Sequence, residues 1–218
     1  NNLELGGGAL LDLGIYPISF SFDMLGRPRT VFGTASFKDT GADAQIATLF
    51  GYDSPARAYT VSASNAQGPN TAAVVGSEGR IEIGAVWYCQ ADFTRYDLAG
   101  KVVERYTERF PGRGMQFQAR EVERLIEAGA TSGEIMPITE SVEIREVLDA
   151  LRAQVGLRYP TDGGFAEGLG TCTRGRGLGR GSNRAHTCLP SSTNPQALRL
   201  EARRRPLRER PTEPRAPE

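Results

Sequence analysis

Cysteine, histidine and lysine are all scarce in this chain of 218 residues. Cys89, Cys172 and Cys188 are too few and too irregularly placed for a disulfide framework. With the single histidine, His186, the two tail cysteines Cys172 and Cys188 offer only three metal ligands, at a spacing that fits no zinc module, so no metal site is expected. A reduced, cytoplasmic protein is the plain expectation. No run of about 18 apolar residues occurs, the length a membrane span needs. The longest apolar stretch, 9–22, is broken by Asp12, Tyr16, Pro17 and two serines, and no membrane partner is expected. No charged-then-apolar leader opens the chain, and its start at Asn1 suggests a fragment or processed product. No Gly-x-Gly-x-x-Gly follows a strand-like segment, so no cofactor-binding residue is assigned. The only lysines are Lys38 and Lys101.

The formal net charge of zero conceals two unlike parts. Residues 161–218 hold 11 Arg, no Lys and 6 acids, which leaves 15 Lys+Arg against 20 Asp+Glu in residues 1–160. The first part has the alternation of a folded domain, long enough to bury roughly 68–70% of its unfolded surface. The second has Gly-Arg repeats, prolines and few large apolar residues, the composition of a disordered tail. Arginine there is suited to phosphates, but no aromatic follows Phe165 for base stacking, so nucleic acid is not the expected partner. The domain reading is 1–160 folded and 161–218 an appended tail.

Along the folded part, a first helix is expected from the glycines at 6–8 to about Leu25, with Leu11, Ile15, Ile18 and Phe22 on its core face and Gly26 as its stop. Pro17 lies inside it and predicts a kink or break, because proline cannot return a hydrogen bond to Leu13. Residues 30–110 then read as strands near 30–37, 43–52, 57–65, 71–75, 80–83, 91–98 and 101–109, the last two joined by a tight Ala99-Gly100 turn. Thr34, Ser36, Thr60, Ser62 and Ser64 suggest one semi-polar sheet face, either solvated or a dimerisation surface. Two amphipathic helices, 116–128 and 139–155, close the domain, the second with Thr139 as N-cap and Gly156 as stop. The expected fold is α+β: an open, largely antiparallel six- to seven-stranded sheet with helices packed on one face, followed by the disordered tail.

Chemistry concentrates in one stretch, Gly6-Gly7-Gly8-Ala9-Leu10-Leu11-Asp12-Leu13-Gly14-Ile15-Tyr16-Pro17. Asp12 and Tyr16 lie four residues apart, one helical turn, in an otherwise apolar segment. One explanation is structural: a buried tyrosine hydroxyl bonded to a helix-start aspartate. Another is a site. The glycines fit tight entry into the helix, or close backbone approach, better than a phosphate loop, since no strand precedes them and no Lys-Ser/Thr follows. Trp87 and Tyr88 follow the Gly79–Ile83 segment and border a cleft or a sheet edge. Arg158 and Tyr159 are read as packing the last helix.

This stretch resembles the segment that opens the C-terminal domain of the Gfo/Idh/MocA oxidoreductases. The resemblance is to the branch of glucose-fructose oxidoreductase and the trans-1,2-dihydrobenzene-1,2-diol dehydrogenases, which reads Gly-Gly-Gly-Ala/Ser-Leu-x-Asp-Ile/Leu-Gly-x-Tyr here. It extends to about Pro160, ending in Gly156-Leu157-Arg158-Tyr159-Pro160. It implies the substrate-binding half of an NAD(P)-dependent oxidoreductase acting on the CH-OH group of a sugar, polyol or cyclic diol. Tyr16 then matches the family's proton donor or acceptor and Asp12 the acid that contacts substrate or orients the phenol; Trp87, by its position after the Gly79–Ile83 segment, is a candidate substrate-side aromatic. It implies a homodimer through the open sheet face. The family's Glu-Lys-Pro motif and its nucleotide-binding half have no counterpart here, so NAD or NADP is expected in the complete enzyme and not on this chain alone. The alternatives are an inactive folding or dimerisation fragment, and a nucleic-acid-associated protein acting through its tail.

Overall fold

A computed structural model describes residues 2–107, 109–164 and 187–188. A 3-10 turn at Leu3–Leu5 leads into the glycines, and a helical run follows: a π turn over Leu10–Gly14 that passes directly into helix α1, Ile15–Leu25. The helix does not break at Pro17. It widens into the π turn just before the proline, where Leu13 is denied its i+4 donor. Ser21 Oγ donates to the Pro17 carbonyl at 2.8 Å. Gly26, at φ +77, ends the helix with its N–H on Phe22 O at 2.7 Å. By length and composition alone the run Leu3–Leu25 would suffice to cross a membrane. Here Leu10, Ile18 and Phe22 from it lie in the core.

The α+β class and the antiparallel pairing are as expected, but the strands divide into two sheets. Strands β1 (Thr30–Phe37), β2 (Asp43–Gly51) and β3 (Arg57–Ala63) form the first sheet, and β4 (Ala72–Gly76), β5 (Gly79–Ile83), β6 (Phe93–Tyr96) and β7 (Val102–Tyr106) the second. After helices α2 (Met115–Glu127) and α3 (Ile138–Val155), a two-residue strand β8, Thr187–Cys188, pairs with Thr30 and Val31. The orders are β3-β2-β1-β8 and β4-β5-β6-β7. The exposed polar run 64–71 separates β3 from β4 and offers nothing to extend a ladder. The turn between β6 and β7 is tied by Asp97, whose Oδ1 accepts from Lys101 N at 2.9 Å.

Register sorts the small polar side chains onto opposite faces of the first sheet. Thr34 opposes Ala47, and Ala47 opposes Val61, so Thr34 shares the open face with Tyr59 and Val61. Thr60 and Ser62, one residue out of step, are buried on the helix side, and Thr60 Oγ1 bonds Thr48 Oγ1 at 2.8 Å. The expected single semi-polar face is therefore corrected: period-two alternation splits its members. The open face carries Phe32, Leu49, Tyr59 and Val61, all exposed.

Helix α3 lies against β1. Gly33 makes this possible, since a Cβ there would sit 2.8 Å from Leu151 Cδ2. Gln154 donates to Val31 O at 3.0 Å and accepts from Gly33 N at 2.8 Å, completing the strand's hydrogen bonding from the helix. The core comprises Leu10, Ile18, Phe22, Val31, Ile46, Phe50, Ile144, Val147, Leu148, Leu151, Leu157 and Tyr159. Two further expectations are corrected. Thr139 is not the N-cap of α3: Pro137 holds that position in extended conformation, and Ser132 Oγ accepts from Ile138 N at 3.2 Å instead. Helix α2 does not pack on a sheet; none of its residues is buried, and Val122 and Ile126 face outward along an open groove of about 610 Å³. Gly156, at φ +76, stops α3 as expected. The tail readings, with Cys172 and His186, lie outside the described residues, apart from the Thr187–Cys188 backbone.

Candidate functional site

Site geometry begins with the glycines. Gly8 sits where a Cβ would lie 1.9 Å from Asp43 Oδ1. The Asp43 side chain, fully buried at 0% exposure, crosses from β2 to the start of the helical run and accepts from Leu10 N at 2.6 Å. A carboxylate there meets the unsatisfied N–H groups and the positive end of the helix dipole. Burial nevertheless pushes the Asp43 carboxyl up, against the lowering effect of the Leu10 and Ala9 N–H groups. The Tyr159 hydroxyl ends beside Gly8 on the other side, 3.5 Å from the same Cβ position. The glycines thus serve tight entry, and this helix N-terminus is filled by the chain's own carboxylate, not left for a phosphate.

From this anchored start the run carries Asp12 and Tyr16 outward. Gly14 is buried against Leu10 and approaches Ser62, so the small residues of β3 admit the helix closely. Asp12 is exposed, and its carboxylate makes no hydrogen bond or ion pair among the described residues. Tyr16 is 47% exposed. The structural explanation, a buried phenol bonded to a buried acid, is thereby ruled out: both groups face outward and do not bond one another.

Tyr16 is walled by the loop between β5 and β6. Its ring stacks on Tyr88 at 4.8 Å and 25°. Tyr88 meets Trp87 edge-on at 5.6 Å, and Trp87 packs on Phe20 at 5.3 Å. Phe20 is one helical turn beyond Tyr16, so α1 supplies both ends of a closed aromatic patch. Trp87 N donates to Asn70 O at 3.3 Å, which fixes the loop against the 64–71 connection. The structure therefore brings Tyr16 and Trp87 into one patch, with Asp12 a turn earlier on the same helical run.

Arg113 was not legible as part of this site. It lies in the turn before α2, between Gly112 at φ +76 and Gly114 at φ +90, and donates from Nη2 to Cys89 Sγ at 3.7 Å. The Cys89 contact first, then Tyr88 and Tyr16 more weakly, raise the Arg113 guanidinium above its ordinary value. The fold thereby brings a cation into the neighbourhood of the Tyr16 phenol. The signal was an arginine bracketed by glycines in a turn, with nothing local to say what it reaches. Among the described residues no group of three or more His, Cys, Asp or Glu could hold a metal ion.

Residues 1–82 match the family model described as the GFO/IDH/MocA C-terminal domain. Trans-1,2-dihydrobenzene-1,2-diol dehydrogenase of Danio rerio is 30% identical over 169 residues, 73% of this chain and 49% of that protein. The Homo sapiens enzyme of the same name is 25% identical over 170 residues, covering 72% and 48%. The chain spans about half the length of these curated relatives. Among solved structures, aldose-aldose oxidoreductase from Caulobacter crescentus, complexed with glycerol, matches with TM-score 0.54 at 24% identity, over 68% of this chain and 44% of that one. A 3-ketoreductase from Actinomadura kijaniata, in complex with TDP-benzene and NADP, gives TM-score 0.57 at 22% identity, over 68% and 48%. These likenesses show a shared fold. Residues 1–82 thus match the C-terminal domain of the Gfo/Idh/MocA oxidoreductases, and the chain is similar to members of that family over about half of their length.

Proposed function

We propose that this chain supplies the substrate side of an NAD(P)-dependent oxidoreductase acting on the CH-OH group of a ring-shaped sugar, polyol or cyclic diol. The observation that carries this reading is the half-exposed Tyr16 phenol, set against the Tyr88–Trp87 wall on a helix whose start is fixed by Asp43. A ring with axial C–H groups packs on such aromatic faces. Tyr16 is placed to exchange a proton with the substrate hydroxyl, and Asp12, free of protein partners among the described residues, to accept hydrogen bonds from a neighbouring hydroxyl. A nicotinamide held by a separate nucleotide-binding half supplies or accepts the hydride. No step is assigned to nucleotide contacts of this chain, because the helix end that would attract a phosphate is filled by Asp43.

Two copies pair, on this proposal, through the open face of the first sheet. Phe32, Leu49 and Tyr59 align across three strands, with Ala47 and Val61 alongside, and such a contiguous apolar face marks an interaction surface.

The reaction is tested by joining the chain to the nucleotide-binding half of a diol dehydrogenase and replacing Tyr16→Phe. Turnover should fall about 10²- to 10⁴-fold with substrate affinity little changed. Unchanged turnover removes Tyr16 from the chemistry.

A further inference from the structure

Among the described residues around the second sheet and α2, four arginines pair with carboxylates, and Arg105, Arg113 and Arg120 do not. Arg109 pairs with Asp92, Arg80 with Glu82, Arg95 with Glu104 and Arg124 with Glu121. Arg113 has no carboxylate within ion-pair distance among the described residues. Its one hydrogen-bonded neighbour is the Cys89 sulfur, a weak acceptor, at 3.7 Å. The side chain is exposed, and through Cys89, the chain neighbour of Tyr88, it stands beside the patch built by Tyr16, Tyr88 and Trp87. A guanidinium presents a planar fork of donors that matches carboxylate or phosphate oxygens two at a time. An aromatic wall that takes a ring, with an unneutralised fork at its edge, is built for a ring bearing an oxyanion.

We propose that Arg113 makes this site selective for an anionic ring polyol, a pyranose or cyclic diol carrying a carboxylate or phosphate, over its neutral counterpart. This rests on the substrate-site reading above and adds to it the charge of the substrate. Arg113 grips the oxyanion, the ring lies on Tyr16 and Tyr88, and the hydroxyl to be oxidised stays with Tyr16 and Asp12. The Cys89 contact keeps the guanidinium turned toward the wall until the ligand takes it.

Trp87, the only tryptophan in the chain, reports on the patch directly. The whole chain is titrated with D-glucuronate, D-glucose 6-phosphate and D-glucose while tryptophan fluorescence is followed. Both anionic sugars should bind about ten-fold tighter than glucose, with the preference shrinking as salt rises. Arg113→Gln should erase the preference, leaving both anionic sugars no tighter than glucose, and Arg113→Lys should keep part of it. Equal affinity for charged and neutral sugars, or a preference that survives Arg113→Gln, overturns the inference and leaves the substrate site standing. If no sugar perturbs Trp87, the substrate-site reading falls as well. A preference for the phosphate alone or the carboxylate alone, lost in Arg113→Gln, supports Arg113 and identifies which oxyanion it takes.

Discussion

At Gly8 the absence of a side chain is what lets the site exist. Asp43 Oδ1 occupies the Cβ position, and its carboxylate receives the Leu10 N–H that opens the helix of Asp12 and Tyr16. Gly8→Ala should cost about 1–3 kcal/mol, because backbone or the buried carboxylate must shift. Asp43→Ala should cost about 1–2 kcal/mol through the lost cap. Urea denaturation of both variants checks this, and wild-type stability in either would remove Asp43 from its anchoring role. The glycines, Asp12 and Tyr16 were legible in the sequence as one motif, since their spacing is local. Asp43 was not, because its partner lies 33 residues away. Nor was Arg113, whose neighbours Cys89 and Tyr88 reach it only through the fold of the loop between β5 and β6.

Elements differ in how much their own sequence decides. Strands β1 to β7 and both later helices fall within a few residues of their periodic signals, because alternation and the apolar stripe record burial residue by residue. What periodicity does not record is the neighbour. The stripe of α3 packs on β1 with Leu151 fully buried, whereas the equally regular stripe of α2 has no buried residue and leaves Val122 and Ile126 exposed. Leu151→Ala should therefore cost about 2–5 kcal/mol, and Ile126→Asp, at 71% exposed, no more than about 0.5 kcal/mol. Comparable losses in the two would show that α2 is covered in solution. The end of α3 adds a pH signature. Arg152, buried over the Tyr159 ring, bonds Asp162, whose Oδ2 also accepts from Tyr159 N at 2.7 Å. These bonds, Arg152's first, hold the Asp162 carboxyl below its ordinary value of 3.8. The stabilisation is present above that value and is lost as pH falls through the lower folded one. Asp162→Asn should lower Tm at neutral pH, and the gap to wild type should close in acid; a gap independent of pH would contradict the ion-pair account.

For the whole molecule, composition divides the chain near residue 160 into a part with the alternation of a folded domain and an arginine-rich remainder, and the opening motif pointed to the family whose model residues 1–82 match. The division of the strands into two sheets was hidden because a polar connection such as 64–71 reads like any other loop. The face of the first sheet was half legible: alternation was visible, but only the register tells which of Thr34 and Thr60 looks outward. If that face joins two copies, Tyr59→Asp should convert a dimer to a monomer in sedimentation without loss of fold; a wild-type monomer would refute the pairing.

The central claim is that this chain offers a substrate surface at Tyr16 and no dinucleotide site of its own. Titrating it with NADPH and NADH while following nicotinamide fluorescence tests that most directly. The account predicts no saturable change with the folded chain alone. Saturable micromolar binding would contradict it, because a nucleotide site would then lie within residues assigned here to substrate and core.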